Sequence, residues 1–135
     1  MISKYVKGKV IVFIDAANIL YSQQTLHWRV DYKKLKKYFQ DECNLQAIYF
    51  YTGRVGDNRK QNRFLKKLES YNYHVKAKEV KRIKVSKNSY EWKGNLDAEL
   101  IIDALKNIDK FDTCILMSGD SDFAPLVDEL KARGK

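Results

Sequence analysis

The chain has 135 residues and a formal net charge of +9, with 26 lysines and arginines against 17 aspartates and glutamates. This length fits one domain with a substantial core, and a hydrophobic content of 44% excludes an intrinsically disordered chain. The excess of positive charge favours a polyanionic partner, although a basic surface that serves only solubility is an alternative. Cys43 and Cys114 are too few for a disulfide framework, so we expect both to be reduced.

The N-terminal segment does not have the pattern of a membrane or export signal. After a basic start, the apolar run extends only from Val10 to Ile14 before it meets Asp15. This run is too short for a membrane span or for the apolar part of a signal peptide. We therefore expect a soluble, cytoplasmic protein that does not bind a membrane.

Strand and helix patterns alternate along the first half of the chain. In chain order they predict a strand at 10–14, a short helix from about Asn18, a helix capped by Asp31, a strand at 45–52 and a helix opened by Asp57. In the helix after Asp31, the side chains of Leu35, Tyr38 and Phe39 share one face.

The second half continues the alternation, which predicts a parallel sheet covered on both faces. Its predicted elements are a strand at 74–80, a hairpin or long loop at 81–93, a helix at 96–108 capped by Asn95, a strand at 113–117 and a last helix that starts at Ser121 or Asp122. Pro125 falls in the first turn of that helix, where a missing N–H is tolerated.

Acidic residues follow two of the predicted strands. Asp15 ends the first strand, and Asp120 and Asp122 follow the last strand in the segment SGDSDF. In a doubly wound sheet these two strands are neighbours at the switch point, so the carboxylates meet at one edge. Asp97 joins them if its helix starts near that edge, and Asn18 can turn its amide toward the same place. Clustered carboxylates repel each other unless a cation neutralises them.

The acidic cluster predicts metal-assisted hydrolysis of phosphodiester bonds by Mg²⁺ or Mn²⁺. Such ions polarise a phosphate and lower the pKa of the attacking water, and the lack of a histidine or cysteine cluster argues against zinc. Each acid also has a structural interpretation, because aspartates after strands can cap helices and Asp97 suits an early helix position. Asp103 lies roughly 240° around the helix from Asp97, so it is expected to have a supporting role. Glu99 is expected on a solvated face.

Three segments together resemble the NYN domain family, which comprises PIN-like nucleases of the LabA-like type. These segments are FIDAANI at 13–19, WKGNLDAELIIDAL at 92–105 and LMSGDSDFAPLVDELKARGK at 116–135, in the order typical of the family. The resemblance implies one PIN-like nuclease domain over 1–135, built as a three-layer α/β/α sandwich with a central, mainly parallel sheet. Family members usually continue into another strand after the last motif. Whether a C-terminal edge strand is missing, and whether two open edges pair in a homodimer, therefore stay open.

The same resemblance implies a divalent-metal ribonuclease that acts on single-stranded or structured RNA, and we expect endonucleolytic cleavage. By motif match it assigns the metal-binding acids to Asp15, Asp97, Asp120 and Asp122. The residues with supporting roles are Asn18, Ser118, Ser121 and Asp103, with the two serines shaping the turn or hydrogen-bonding a carboxylate or water.

Basic and aromatic residues predict where RNA would lie. The first stretch contains Lys76, Lys78, Lys81, Arg82, Lys84, Lys87 and Lys93, with Trp92 beside it, and a second basic face contains Arg54, Arg59, Lys60 and Arg63. Basic side chains hold phosphates, and aromatic rings stack on unpaired bases at ~1–3 kcal/mol each. Lys93 is four residues before Asp97 and could steady a phosphate. The lysines at 33–37 are expected to serve solubility. The alternative for the first stretch is a hairpin with an ordinary solvated face.

Two other functions compete with the nuclease. The first is a non-catalytic RNA-binding or regulatory module that retains the PIN-like fold. The second is a phosphatase of the haloacid-dehalogenase type, which needs a second aspartate two residues after the first. Ala17 stands at that position in this chain, which argues against the phosphatase.

Overall fold

The computed structural model describes residues 1–54, 56–93 and 95–135, and the side chains of residues 21, 22, 24, 82 and 90–93 lie outside the described part. The strands are β1 (Lys9–Asp15), β2 (Asn44–Arg54), β3 (His74–Glu79), β4 (Lys81–Ser86), β5 (Ser89–Lys93) and β6 (Thr113–Met117). The α-helices are α1 (Ala16–Leu26), α2 (Tyr32–Glu42), α3 (Arg59–Ser70), α4 (Asp97–Lys106) and α5 (Ala124–Ala132). Short 3₁₀ turns cover Ile2–Lys4, Ile108–Lys110 and Ser121–Phe123.

Four strands form a parallel sheet in the order β3-β2-β1-β6. The chain moves outward from β1 to β3 and then returns to the other side of β1 as β6. The direction of winding therefore reverses between β1 and β6, where Ile14 lies opposite Met117. This arrangement confirms the predicted neighbourhood of the two strands that precede the acidic residues.

The alternating side chains of β1 divide the core between the two faces of the sheet. Val10, Val12 and Ile14 pack with buried side chains of α1, α2 and α3. Ile11 and Phe13 point the other way and pack with buried side chains of α4 and α5. All five are at most 2% exposed, because a central parallel strand is covered on both sides. The fold is therefore an α/β/α sandwich, as predicted.

The cap of α2 agrees with the prediction from the sequence, and the face that Leu35, Tyr38 and Phe39 share is buried in part. The Asp31 side chain accepts a hydrogen bond from the N–H of Lys34 at 3.1 Å, as an N-cap should. Phe39 is buried and Leu35 is half-buried, whereas Tyr38 is 38% exposed. The Tyr38 hydroxyl accepts a hydrogen bond from the N–H of Ile2 at the surface. The face that these three residues share is therefore buried at Phe39 and open to solvent at Tyr38.

Three predicted helix starts were wrong by one or two residues. The first helix begins at Ala16 and not near Asn18, because no turn separates it from β1. The cap of α3 is Asn58 and not Asp57, and it accepts from the N–H of Gln61 at 3.1 Å. Asn95 does not cap α4, because Leu96 occupies that position without a side-chain hydrogen bond. Boundary errors of this size are the usual limit of pattern arguments.

The segment at 81–93 is an antiparallel hairpin of β4 and β5. Of the two structures predicted for this segment, a hairpin and a long loop, the hairpin is therefore confirmed. It leaves the sheet at the end of β3, where the N–H of Val80 donates to the carbonyl of Arg54 at 2.8 Å. At the other side, β6 pairs with β1 and forms an edge of the described sheet. Pairing of two such edges in a homodimer stays a prediction.

Two further expectations concern the whole chain. Both cysteines are free and half-buried, as predicted. Among the described residues, no helix combines the length and apolarity that crossing a membrane requires.

Candidate metal centre

A cleft opens at the carboxyl edge of the sheet, beside the switch point between β1 and β6. The end of β1, the first turns of α1 and α4, and Tyr51 and Gly53 of β2 line it, together with Asp120. Its volume of about 160 Å³ far exceeds the roughly 10–15 Å³ that one water molecule needs. Open α/β sheets bind their ligands at this position.

Three carboxylates converge in the cleft. Asp15, Asp97 and Asp120 each place one carboxylate oxygen within 4.8 Å of the other two. Asp15 is the last residue of β1, Asp97 the first of α4, and Asp120 follows β6. The donors are all hard oxygens, which suit Mg²⁺ and Mn²⁺. The residues present therefore fit a divalent cation of this class.

The electrostatics of Asp97 agree with a site that lacks compensating positive charge. Partial burial raises the pKa of the Asp97 carboxyl, and repulsion by Asp15 and Asp120 raises it further. Weaker repulsion comes from Asp122 and Glu99. A bound cation would oppose these effects, because an opposite charge nearby favours the ionised carboxylate.

Ser118 and Asn18 fix the loop that carries Asp120. The Ser118 hydroxyl donates to Oδ2 of Asp15 at 2.9 Å and accepts from the N–H of Asp120 at 3.1 Å. The Oδ1 atom of Asn18 accepts from the N–H of Gly119 at 2.9 Å. These bonds attach the β6 loop to the start of α1.

The fourth predicted acid does not join the group of three. Asp122 lies exposed in the 3₁₀ turn after Asp120, and its N–H donates to Oδ1 of Asp120 at 2.9 Å. Asp120 thus also caps this turn, which begins at Ser121, and α5 starts only at Ala124. Ser121 is exposed at the same rim. The structure therefore brings together three of the four acids and leaves Asp122 at the rim.

Asp103 supports the wall of the cleft through residues that the sequence did not reveal. Its carboxylate accepts from the Tyr51 hydroxyl at 2.7 Å and pairs with Lys76 Nζ at 2.7 Å. Burial raises the pKa of Tyr51, and the hydrogen bond to Asp103 adds to this effect. Tyr51 therefore stays protonated as a donor. Tyr51 and Asp103 are 52 residues apart in sequence, so no local pattern could pair them.

Two lysines of β3 pair with acids of α4. Glu99, whose side chain is 38% exposed, pairs with Lys78 Nζ at 3.0 Å. The hydrogen bond from Lys78 lowers the pKa of Glu99. Lys76 and Lys78 therefore contact α4, although the sequence grouped them with residues expected to face RNA.

The other predicted RNA-binding residues border the cleft or belong to the hairpin. Arg54 ends β2, three residues beyond Tyr51, which lies opposite Asp15. Arg59 begins α3, and both arginines are exposed, as is Lys84 on β4. The side chains of Arg82, Trp92 and Lys93 lie outside the described part. Their backbones belong to β4 and β5.

An α/β/α sandwich with acids at the switch point defines the nuclease-like PIN class of domains. The chain belongs to the NYN domain family, whose model matches residues 9–135. This family includes PIN-like nucleases.

Two relatives extend the comparison. The chain is 32% identical over 130 residues to the Low amplitude and bright protein LabA of Synechococcus elongatus, covering 93% of this chain and 69% of that protein. It is also similar to the crystal structure of a protein of unknown function from Vibrio parahaemolyticus. That match has a TM-score of 0.76 at 26% identity and covers 94% of this chain and 76% of the other. The two structures belong to the same fold class.

Proposed function

We propose that this protein is a divalent-metal-dependent ribonuclease that hydrolyses RNA phosphodiester bonds endonucleolytically, as one nuclease domain over 1–135. The observation that carries the proposal is the meeting of Asp15, Asp97 and Asp120, with oxygens within 4.8 Å of one another. Three partly exposed carboxylates at this distance repel one another, which destabilises a protein unless a bound cation neutralises them. Binding a cation is therefore the use that we propose for this cluster. Membership of a family that includes nucleases supports that use.

Each residue of the centre has a proposed role. Mg²⁺ or Mn²⁺ would polarise the scissile phosphate and lower the pKa of a water molecule. Asp15, Asp97 and Asp120 would hold the cation, and we include Asp122 as a fourth acid because its charge acts on Asp97 from the rim. The residues that would position these acids are Asn18, Ser118, Ser121 and Asp103.

The net charge of +9 supports RNA as the substrate, because a polyanion is attracted to a basic protein. The proposed RNA contacts are Arg54, Arg59, Arg82, Lys84, Trp92 and Lys93. The free cysteines, Cys43 and Cys114, suit a reducing compartment such as the cytoplasm.

The proposal is tested by cleavage of one RNA sequence in linear and circular form, with Mg²⁺, with Mn²⁺ and with EDTA. We expect both forms to be cut with metal and neither with EDTA. Asp97→Asn should lower the rate at least about a hundredfold, since cation stabilisation contributes several kcal/mol, while RNA binding in EDTA persists. Asp109→Asn is the matched control, because Asp109 is exposed in a turn away from the cleft. It should cut like the parent protein.

Three results would contradict the proposal in different ways. Cleavage of the linear RNA alone would indicate that the protein is an exonuclease and not an endonuclease. If the Asp97→Asn variant cut RNA as fast as the Asp109→Asn variant, the assignment of the metal centre would be wrong. RNA binding without cutting under either metal would favour the non-catalytic RNA-binding module.

A further inference from the structure

A second groove lies on the α1–α3 side of the sheet, outside the acidic cleft. It consists of two adjoining cavities of about 380 and 640 Å³, which share Arg29, Val30, Tyr32 and Phe64. Both volumes fall in the range of about 300–1,000 Å³ that is common for ligand sites. We call it the α3 groove and define it by Trp28, Arg29, Tyr32, Lys60, Phe64 and Lys67.

The charge of the α3 groove is predominantly positive. Arg29, Lys33, Lys60 and Lys67 line it against one acid, Asp31. The Asp31 side chain already accepts a hydrogen bond as the N-cap of α2. Within the described part of the chain, none of the four cations takes part in an ion pair. Their charges therefore remain available for phosphate groups, which also gives Lys33 a use beyond solubility.

An exposed aromatic ring stands at the entrance of the groove. Trp28 is 40% exposed and belongs to the short connection between α1 and α2. This connection is held in place, because the N–H of Val30 donates to Oε1 of Gln23 on α1 at 2.7 Å. Tyr71 lines the other end of the groove. Aromatic rings beside basic side chains are the usual surface for unpaired bases.

A buried tyrosine, Tyr32, adjoins both cavities of the groove. This residue is only 6% exposed and lines both cavities. Its buried hydroxyl has no hydrogen-bond partner among the residues that the structure describes. A buried polar group without a partner costs free energy, and this hydroxyl, which is closed to solvent, would gain a ligand as partner only if the groove opened toward it.

The groove and the acidic cleft share two of their borders. Helix α1 places Asn18 in the cleft and Gln23 in the groove. In the first turn of α3, Gln61 Nε2 donates to the carbonyl of Gly53 at 2.8 Å, and Gly53 lines the cleft. Lys60, the neighbour of Gln61, lines the groove. A chain that leaves the cleft over α1 therefore reaches the groove directly.

We propose that the α3 groove binds a second segment of the single-stranded RNA whose scissile bond lies in the acidic cleft. This inference rests on the proposed function for the class of ligand. A single strand fits better than a duplex because stacking on Trp28 and Tyr71 requires unpaired bases. The unpaired cations hold the phosphates of this segment.

The test compares two triple variants that carry the same net charge of +6, since each removes three of the nine excess positive charges. The groove variant is Arg29→Ala, Lys60→Ala and Lys67→Ala. The control is Lys106→Ala, Lys110→Ala and Lys131→Ala, which removes exposed lysines from the side of α4 and α5. Binding of a fluorescent single-stranded RNA that spans both sites is measured in EDTA by anisotropy, at several salt concentrations. A duplex of the same sequence and Trp28→Ala are run in parallel.

We expect the groove variant to lose about tenfold more affinity than the control. The slope of log affinity against log salt should fall by about 2, at about 0.7 for each lost phosphate contact. Trp28→Ala should weaken the single strand about fivefold or more and leave the duplex unchanged. A dinucleotide that fills only the cleft should be cut by the groove variant at the parent rate.

Equal losses in the two triple variants would overturn the proposal, since they would reflect net charge alone. Equal effects of Trp28→Ala on duplex and single strand, or no effect on either, would overturn the assignment to unpaired bases. Because binding is measured in EDTA, the outcome does not depend on catalysis. If the parent protein never cuts RNA but the groove variant binds RNA more weakly than the control, the proposed ribonuclease activity is wrong and the RNA-binding role of the groove stands. If the parent protein cuts RNA with metal but the two triple variants lose the same affinity, only the RNA-binding role of the groove is wrong.

Discussion

Ser118 links the carboxylate of Asp15 to the backbone of Asp120. Its hydroxyl proton goes to Asp15, and its oxygen receives the N–H of Asp120. A hydroxyl can do both at once because it is a donor and an acceptor. The serine therefore connects the end of β1 to the loop after β6, and alanine at this position would leave the bond between Asn18 and Gly119 to hold that loop.

The negative charge of Asp97 should measurably lower the free energy of unfolding of the metal-free protein. Burial and repulsion raise the pKa of its carboxyl above the unfolded value, although the N-terminus of α4 acts in the opposite direction. The folded state therefore holds more protons than the unfolded state between the two pKa values, and stability falls as pH rises through that window. Asp97→Asn should gain on the order of 0.5 kcal/mol above the folded pKa, the size of other like-charge repulsions.

Urea unfolding in EDTA at neutral and at strongly acidic pH measures this effect. The advantage of Asp97→Asn should be present at neutral pH and disappear below the unfolded pKa. Asp109→Asn, at an exposed position, should unfold like the parent protein at both pH values. An Asp97→Asn variant that is less stable than the parent at neutral pH would show that the helix terminus outweighs the repulsion.

Strand β2 connects the metal centre to the rest of the domain. Tyr51 lies opposite Asp15 on β1 and opposite Lys76 on β3. Through Asp103, the same tyrosine is hydrogen-bonded to α4, which carries Asp97. Two elements of the cleft are thus held at a fixed separation by one buried carboxylate.

The two partners of Asp103 should contribute differently to stability. Tyr51→Phe should lower the free energy of unfolding by about 1.5–3 kcal/mol, because it removes a buried hydrogen bond to a charged group. Lys76→Met should cost about 1 kcal/mol or less, since the Lys76 side chain is 45% exposed and water screens the pair. Chemical denaturation of both variants at neutral pH gives the comparison.

Tyr49→Phe is a suitable control for the tyrosine, because no hydrogen bond of the Tyr49 hydroxyl is described and its ring stacks on Phe13. It should change stability much less than Tyr51→Phe. A larger loss for Lys76→Met than for Tyr51→Phe would contradict the view that burial sets the strength of these two interactions.

The strands could be predicted from sequence more reliably than the helix starts. Five apolar residues from Val10 to Ile14 leave few alternatives to a central strand, and the predicted segment lies within β1. The start of α4 depends instead on how the chain leaves β5. Asn95 has the right side chain for a cap, yet α4 begins after Leu96, whose side chain packs in the core. Tertiary packing therefore overrode the local preference.

As a whole, the molecule combines an acidic centre with a basic surface. The meeting of Asp15 and Asp120 could be predicted, because strand order follows from the alternation of strands and helices. The position of Asp122 could not, since it depends on the orientation of one 3₁₀ turn. The α3 groove was also hidden, because it forms from α1, α2 and α3 only after they pack together. Long-range arrangement of this kind leaves no periodic signal in the sequence.

The most direct test of the central claim is a titration of Mn²⁺ into the protein without RNA, followed by electron paramagnetic resonance of the free ion. The parent protein and Asp109→Asn should bind Mn²⁺ with equal affinity, and Mg²⁺ should compete. Asp97→Asn should bind at least about tenfold more weakly, because it loses one of three carboxylate ligands. Equal affinity in all three proteins would contradict the claim that Asp15, Asp97 and Asp120 form a metal centre.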